Sequence, residues 1–178
     1  MKLKELFEAK ERSILSVMGK QEDQYPGYFS CADNKLTSLE GAPSAVKGNF
    51  YCYNNNLTSL EGAPSAVKGN FSCHHNKLTS LEGAPSVVNN DFSCDNNKLT
   101  SLAGIHKIIK EIHGYATFDN NPIKSNVLGL MRIKGLTKVY LDNKQVMDIL
   151  NKYLTGDRDI IRCQSELLDA GLEEYAKL

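Results

Sequence analysis

Four cysteines, Cys31, Cys52, Cys73 and Cys94, recur at intervals of 21 residues, and a fifth, Cys163, stands apart. Thiols can pair, hold a metal or attack a substrate, and their spacing decides which. Cysteines on successive stacked strands, about 4.8 Å apart, would fall near the Cα separation of a disulfide. Their side chains would nevertheless project side by side, not toward one another. The short paired spacing of zinc sites is absent, which counts against a cysteine-only metal ladder. The reading that follows is of reduced, buried thiols that serve as small apolar residues.

His74-His75, with Asp95 one interval later, is the other group that could do chemistry. Two imidazoles and a carboxylate can ligate a metal, but adjacent residues on a strand diverge, so these histidines are not expected to converge on one ion. No metal or other cofactor is expected. A serine–histidine–aspartate site is not expected either, because a repeat column sets such groups on an open face without an oxyanion pocket. Phosphate loops of the Gly-x-x-x-x-Gly-Lys type are absent. Cys163, Asp157 and Arg158 would be the place for an enzymatic function near the C-terminus, but helix caps and surface charge account for them better. The chain therefore reads as a non-enzyme.

The elements that hold these residues come from repetition. Residues 27–47 are nearly copied at 48–68 and 69–89, and a fourth copy starts at Asn90 and departs after Gly104. A fixed period of 20 to 29 residues marks a solenoid. Phe29-Ser-Cys31, Phe50-Tyr-Cys52, Phe71-Ser-Cys73 and Phe92-Ser-Cys94 each predict a short strand with Phe and Cys inward. Asn34, Asn55, Asn76 and Asn97 follow at a turn position, where the amide can satisfy backbone groups as the chain leaves the strand. Two leucines per copy, such as Leu57 and Leu60, supply more core. A glycine then permits a bend, and Pro43, Pro64 and Pro85 keep the return extended.

The fourth return lacks the proline and carries Ile105, Ile108, Ile109 and Ile112 at helical spacing, so a short helix or 3₁₀ turns are expected there. Further strands are predicted at Ala116-Thr-Phe118 and Val139-Tyr-Leu141. Two helices over residues 146–154 and 160–176 would close the end, with an N-cap candidate in Thr155-Gly156-Asp157. Leu3, Leu6, Phe7, Ile14, Leu15 and Met18 predict an amphipathic helix over residues 2–18 that caps the first coil. The expected domains are residues 1–26 (capping helix and connector), 27–143 (solenoid of about six coils) and 144–178 (helical cap).

Three columns are predicted to face outward: Ser30, Tyr51, Ser72, Ser93, Thr117; Ala32, Tyr53, His74, Asp95, Asp119; and Asp33, Asn54, His75, Asn96, Asn120. Core slots barely change between copies, whereas these vary. Tyrosine is an interface-enriched anchor that packing does not require outside a core. Tyr51, Tyr53, His74, His75, Asp95 and Asp119 are therefore the candidate partner-binding residues. Glu40, Glu61 and Glu82 form a separate acidic edge.

Lys and Arg number 21, as do Asp and Glu, so formal charge balances to zero. Strong nonspecific nucleic-acid binding needs a positive field, and is not expected. No stretch approaches the ~18 apolar residues of a membrane span, and a soluble protein not exported by the usual route is expected.

The run Phe-x-Cys-x-x-Asn-x-Leu-Thr-Ser-Leu-Glu-Gly-Ala-Pro is similar to the leucine-rich repeat, with the short proline-containing return of the bacterial subtype found in type III secretion effectors. More closely, it resembles repeat proteins of large tailed phages, over about residues 27–143. That resemblance implies a leucine-rich-repeat-like solenoid whose concave strand face binds a host or phage protein, plausibly to inhibit host defence. The effectors' ligase domain has no counterpart here. A second resemblance lies in Met1-Lys-Leu-Lys-Glu-Leu-Phe-Glu-Ala9, which looks like the targeting peptides of internal head proteins of such phages. It implies cleavage after Leu6-Phe7-Glu8 and packaging in the virion, with action in the host cytoplasm. A plain capping helix is the other reading of the same residues. A small-ligand or nucleic-acid site on the Tyr/His strip is the alternative to protein binding, since bases stack on tyrosine without many cations. Exposed solenoid edges also leave pairing between chains open.

Overall fold

Where Phe and Cys flank one outward residue, a strand forms, and successive strands pair in parallel. The computed structural model describes residues 12–178. After α1 (Ile14–Met18) come β1 (Gln24–Tyr25), β2 (Phe29–Ser30), β3 (Ala45–Val46), β4 (Phe50–Tyr51), β5 (Ala66–Val67), β6 (Phe71–Ser72), β7 (Val87–Val88) and β8 (Phe92–Ser93). They are followed by α2 (Ile105–Ile108), β9 (Glu111–Ile112), β10 (Tyr115–Thr117), a 3₁₀ turn (Leu128–Arg132), β11 (Lys138–Tyr140), α3 (Lys144–Leu154) and α4 (Ile160–Asp169). One six-stranded parallel sheet runs β2-β4-β6-β8-β10-β11. The chain is a β-solenoid of about six coils with helices packed at its C-terminal end.

The return segments do more than stay extended. They pair as a second, five-stranded parallel sheet in the order β1-β3-β5-β7-β9. Val46, Val67, Val88 and Ile112 point inward from it. Side-chain hydroxyls support this edge, since Ser65 and Ser86 donate to the carbonyls of Ser44 and Ser65, each at 3.1 Å. β-Branched valine suits such a pleated, half-buried ladder.

Between the sheets lies one continuous core of stacked columns. Phe29 pairs with Phe50, Phe50 with Phe71 and Phe71 with Phe92 in the strand register. Their rings stack at 5.5, 5.6 and 5.4 Å between centroids. Each such pair contributes roughly 0.5–1.5 kcal/mol beyond area burial. The four repeat cysteines form an interior row, fully buried and unpaired. Burial pushes the Cys31 thiol up to about 12 and the Cys163 thiol up to about 11.

The asparagine column satisfies the polar backbone of the core. Asn55 donates to the carbonyls of Cys31 and Cys52, both at 3.0 Å, and its oxygen accepts the Leu36 N–H at 2.8 Å. Asn76, Asn97 and Asn121 repeat the pattern one coil further each time. Every internal coil is thus stitched to the one before it by a buried amide.

Two differences from the sequence-based expectation concern the ends. A continuous helix over residues 2–18 is not what the described part shows; residues 2–11 lie outside it. Ser13 is extended (φ −92°, ψ 165°) and caps α1 in a capping box with Ser16, so the helix starts at Ile14. Arg12 instead pairs with coil 1, donating to Thr37 Oγ1 and accepting the Thr37 N–H. Ile14 is buried, but Leu15 and Met18 are 45% and 43% exposed. At the other end α4 stops at Asp169, and its N-cap is Asp159, which accepts the Arg162 N–H.

The C-terminal cap closes the sheet through side chains. On α3, Asn151 accepts the Val139 N–H and donates to the Val139 carbonyl, both at 2.8 Å, mimicking a further strand. The Arg158 guanidinium donates to the carbonyls of Ile133 and Leu136. Burial lowers its pKa, and those two acceptors are its compensation.

Candidate functional site

Along each strand of the six-stranded sheet, side chains alternate in and out, so the outward residues of successive coils form rows across the face. Tyr51 and Tyr53 leave coil 2, Ser72 and His74 coil 3, Ser93 and Asp95 coil 4, Thr117 and Asp119 coil 5. The structure brings most of the predicted residues into contact. Tyr51 and Tyr53 lie 5.9 Å apart between centroids. The Tyr53 ring stacks on His74 at 4.6 Å and 7°. His74 in turn meets His75 edge-on at 5.3 Å. The four rings form a continuous strip over coils 2 and 3, half-buried except for exposed His75.

The two imidazoles do not diverge as a strand would make them. The strand has ended, and His75 sits in the left-handed region at φ +52°, which folds its ring back against His74. The whole third column shares this conformation: Asp33, Asn54, Asn96 and Asn120 have φ between 52° and 60°. Asn, Asp and His are the non-glycine residues that tolerate it best. Residue types in that column are thus set by the backbone, and their variation says less about a partner than the sequence comparison implies. Among the described residues no group of three or more His, Cys, Asp or Glu is placed to hold a metal ion.

The first column is less exposed than expected. Ser72 is only 7% exposed and shares a 2.6 Å hydrogen bond with His74 Nδ1. Ser93 donates to Asp95 Oδ2 at 2.9 Å. The serines form the floor of a trough whose sides are the neighbouring columns. Burial lowers the His74 pKa, His75 adds to this, and Asp95 and Asp33 oppose it. Burial also raises the Asp119 pKa, with Asp95 and Asp142 contributing through like-charge repulsion.

Sequence reasoning missed one wall of this trough. The residue preceding the Phe slot, which Ala116 fills in coil 5, also faces outward, giving Tyr28, Asn49, Asn70, Asp91 and Tyr115. Asn49 donates to the Tyr51 phenol at 2.6 Å, fixing that ring. Asn70, Asp91 and Tyr115 line a cavity of about 290 Å³ together with Tyr51, Ser93 and Asp95. Strict alternation marks this column as outward, and extending the count one residue toward the N-terminus would have found it.

The chain matches no protein-family model, no curated protein and no solved structure. No helix among the described residues is long and apolar enough to cross a membrane.

A separate apolar cleft of about 410 Å³ opens where the fourth copy departs from the pattern, lined by Leu81, Leu102, Ile105 and Ile108. Gly62 and Gly83 pack against the preceding coil, whereas Gly104 does not. Loss of that contact separates the two corners.

Proposed function

We propose that this chain is a non-enzymatic protein-binding module that holds its partner on the face of the six-stranded sheet. The observation that supports it is the strip Tyr51–Tyr53–His74–His75, four rings in contact that lie outside the core. Tyrosine offers a large contact area at small entropic cost, and preordered rings lose little on binding. Asp95 and Asp119 extend the surface with negative charge. In this reading the solenoid is a leucine-rich repeat of the short bacterial and phage type, acting in the cytoplasm of a host cell on a host or phage protein, such as one of host defence. Cys163, Asp157 and Arg158 then serve the cap, as the buried Cys163 and the carbonyl-bound Arg158 suit.

Affinity capture from bacterial lysate tests the reading, with wild type compared with Tyr51→Ala/Tyr53→Ala. A discrete protein retained by the wild type and lost by the variant is expected. Equal retention would move the partner off this face. Salt-dependent binding of single-stranded oligonucleotides would favour nucleic acid instead, against which the carboxylates of the trough argue.

A further inference from the structure

The trough beside the aromatic strip has a character of its own. Its floor is made of hydroxyls, with Ser72, Ser93 and Thr117 on successive coils. Asp91 and Asp95 stand on opposite sides of that floor, and Tyr51 and Tyr115 bound it. Two polar atoms here, Asp95 Oδ1 and Thr117 Oγ1, are shielded from solvent and have no hydrogen-bond partner. A buried carboxylate oxygen without a donor is costly, and native proteins rarely leave one so. Among the described residues, neither Asp91 nor Asp95 nor Asp119 has an ion-pair partner. His74, one coil before Asp95 in the same column, has its pKa lowered by burial and by His75. On coil 6 Lys138 lies 4.8 Å over the Tyr140 ring, outside the cavity lining. Negative charge therefore accumulates in a chain whose formal charge is zero.

We propose that this trough receives an arginine side chain of the protein partner, its guanidinium lying over the Ser93 floor between Asp91 and Asp95. The inference rests on the protein-binding reading and names the anchor that the face takes. Guanidinium fits on three counts. It supplies donors in a planar fork, enough for the Asp91 and Asp95 carboxylates that line the trough. Its plane stacks on tyrosine, and Tyr51 and Tyr115 are at hand. It is also weakly hydrated, so a half-buried trough costs it less than it costs an ammonium.

The test is an NMR titration of the full chain, following backbone amides with N-acetyl-arginine amide and with its uncharged isostere, N-acetyl-citrulline amide. Saturable shifts at Ser93, Asp95 and Thr117 are expected with the arginine compound, and affinity about tenfold or more lower with the citrulline compound. Asp95→Asn should weaken the arginine compound by a similar factor. Asp91→Asn serves as a second variant, because the bond that Asp91 Oδ1 accepts from the Tyr115 N–H is one an asparagine oxygen keeps, as Asn49 and Asn70 do in the preceding coils. Equal affinity for the two compounds, absence of saturable shifts, or wild-type affinity in both variants would overturn the assignment. Shifts of the same amides by calcium chloride alone, at lower concentration than the arginine compound, would also overturn it in favour of a metal. If the arginine titration fails while Tyr51→Ala/Tyr53→Ala still abolishes capture, the anchor is wrong and the face reading stands.

Discussion

The side-chain oxygen of Asn76 accepts the backbone N–H of Leu57, 19 residues earlier in the chain, at 3.0 Å. The same amide donates to the carbonyls of Cys52 and Cys73, so one side chain holds three backbone groups of two coils. Asn76→Ala leaves the Leu57 N–H buried and unpaired, and takes one of two donors from the Cys52 and Cys73 carbonyls, which keep the amides of Asn55 and Asn97. The orphaned N–H costs about 1–3 kcal/mol and each lost carbonyl bond about 0.5–1.5, so a loss of about 2–4 kcal/mol is expected in urea unfolding. Asn34 is the internal control. It heads the column and, among the described residues, its side chain donates only to Ala32 at 2.7 Å, so Asn34→Ala should cost about 1 kcal/mol. Equal costs would mean that the column is not the cross-coil stitch described.

Gly83 and Gly104 occupy the same corner of successive coils and should respond differently to alanine. At Gly83 (φ +81°) an added Cβ would lie 2.4 Å from backbone atoms of Leu60 and Glu61. At Gly104 (φ +69°) the nearest atom is Lys107 Cδ at 3.8 Å. Gly104→Ala therefore carries only the left-handed penalty, about 1–2 kcal/mol. Gly83→Ala adds a clash that only separation of the corners can relieve, a further ~1–3 kcal/mol. Thermal melts of the two variants would rank them, and a Gly104 variant less stable than the Gly83 variant would contradict the open corner.

Stability should fall on mild acidification because of His74. Burial, then the neighbouring His75, holds this imidazole below its ordinary 6.5, with Asp95 and Asp33 acting the other way. The unfolded chain thus takes up the proton first. The sign follows: this contribution is fully present above about pH 6.5 and is lost as pH falls through the lower, folded value. Urea midpoints at pH 7.5 and 5.0 should differ more for wild type than for His74→Gln. An unchanged difference would assign the pH dependence to other groups.

The thiols should be silent in the native state. Burial pushes Cys31 up to about 12 and Cys163 up to about 11, and holds Cys52 and Cys73 well above the ordinary value of 9.0. Only thiolate reacts, and access is also denied. A disulfide reagent at pH 8 should modify none of the five cysteines in buffer and all five in urea. Fast labelling of one thiol in buffer would show that its coil opens.

Periodicity made the solenoid legible, because Phe, Cys, Asn and Leu each keep one phase over four copies and each phase has a single physical use. Periodicity also placed Tyr51, Tyr53 and His74 on one face. What it could not convey was geometry between strands. Ala45–Val46 reads as a return, and only pairing with Ala66–Val67 makes it a sheet. His75 reads as the next strand residue, yet the chain has already turned left-handed there. Asp91 reads as connector, and becomes a trough wall only once coils 3 to 5 are stacked. The end contacts were least legible, since Asn151 lies on a helix far along the chain from the other core asparagines and belongs to no repeat.

Asn151 supports the last prediction. A parallel sheet edge offers unpaired N–H and C=O groups that another chain can use. The first edge strand, β2, keeps Tyr28 and Ser30 exposed beside it. The last, β11, is closed by the Asn151 amide, which takes both polar groups of Val139 at 2.8 Å. Asn151→Ala removes both bonds and should cost about 1–3 kcal/mol. It should also leave the edge groups of β11 unpaired beneath α3, so that two chains can meet end to end when the cap lifts, β11 of one against β2 of the next. Light scattering at rising protein concentration should then report association in the variant beyond that of the wild type. Asn151→Asp is the discriminating companion: it keeps the acceptor for the Val139 N–H but sets a carboxylate against the Val139 carbonyl, so it should lose stability while its charge opposes pairing. Association of the Asp variant equal to that of the Ala variant would mean that destabilisation, not the open edge, drives it.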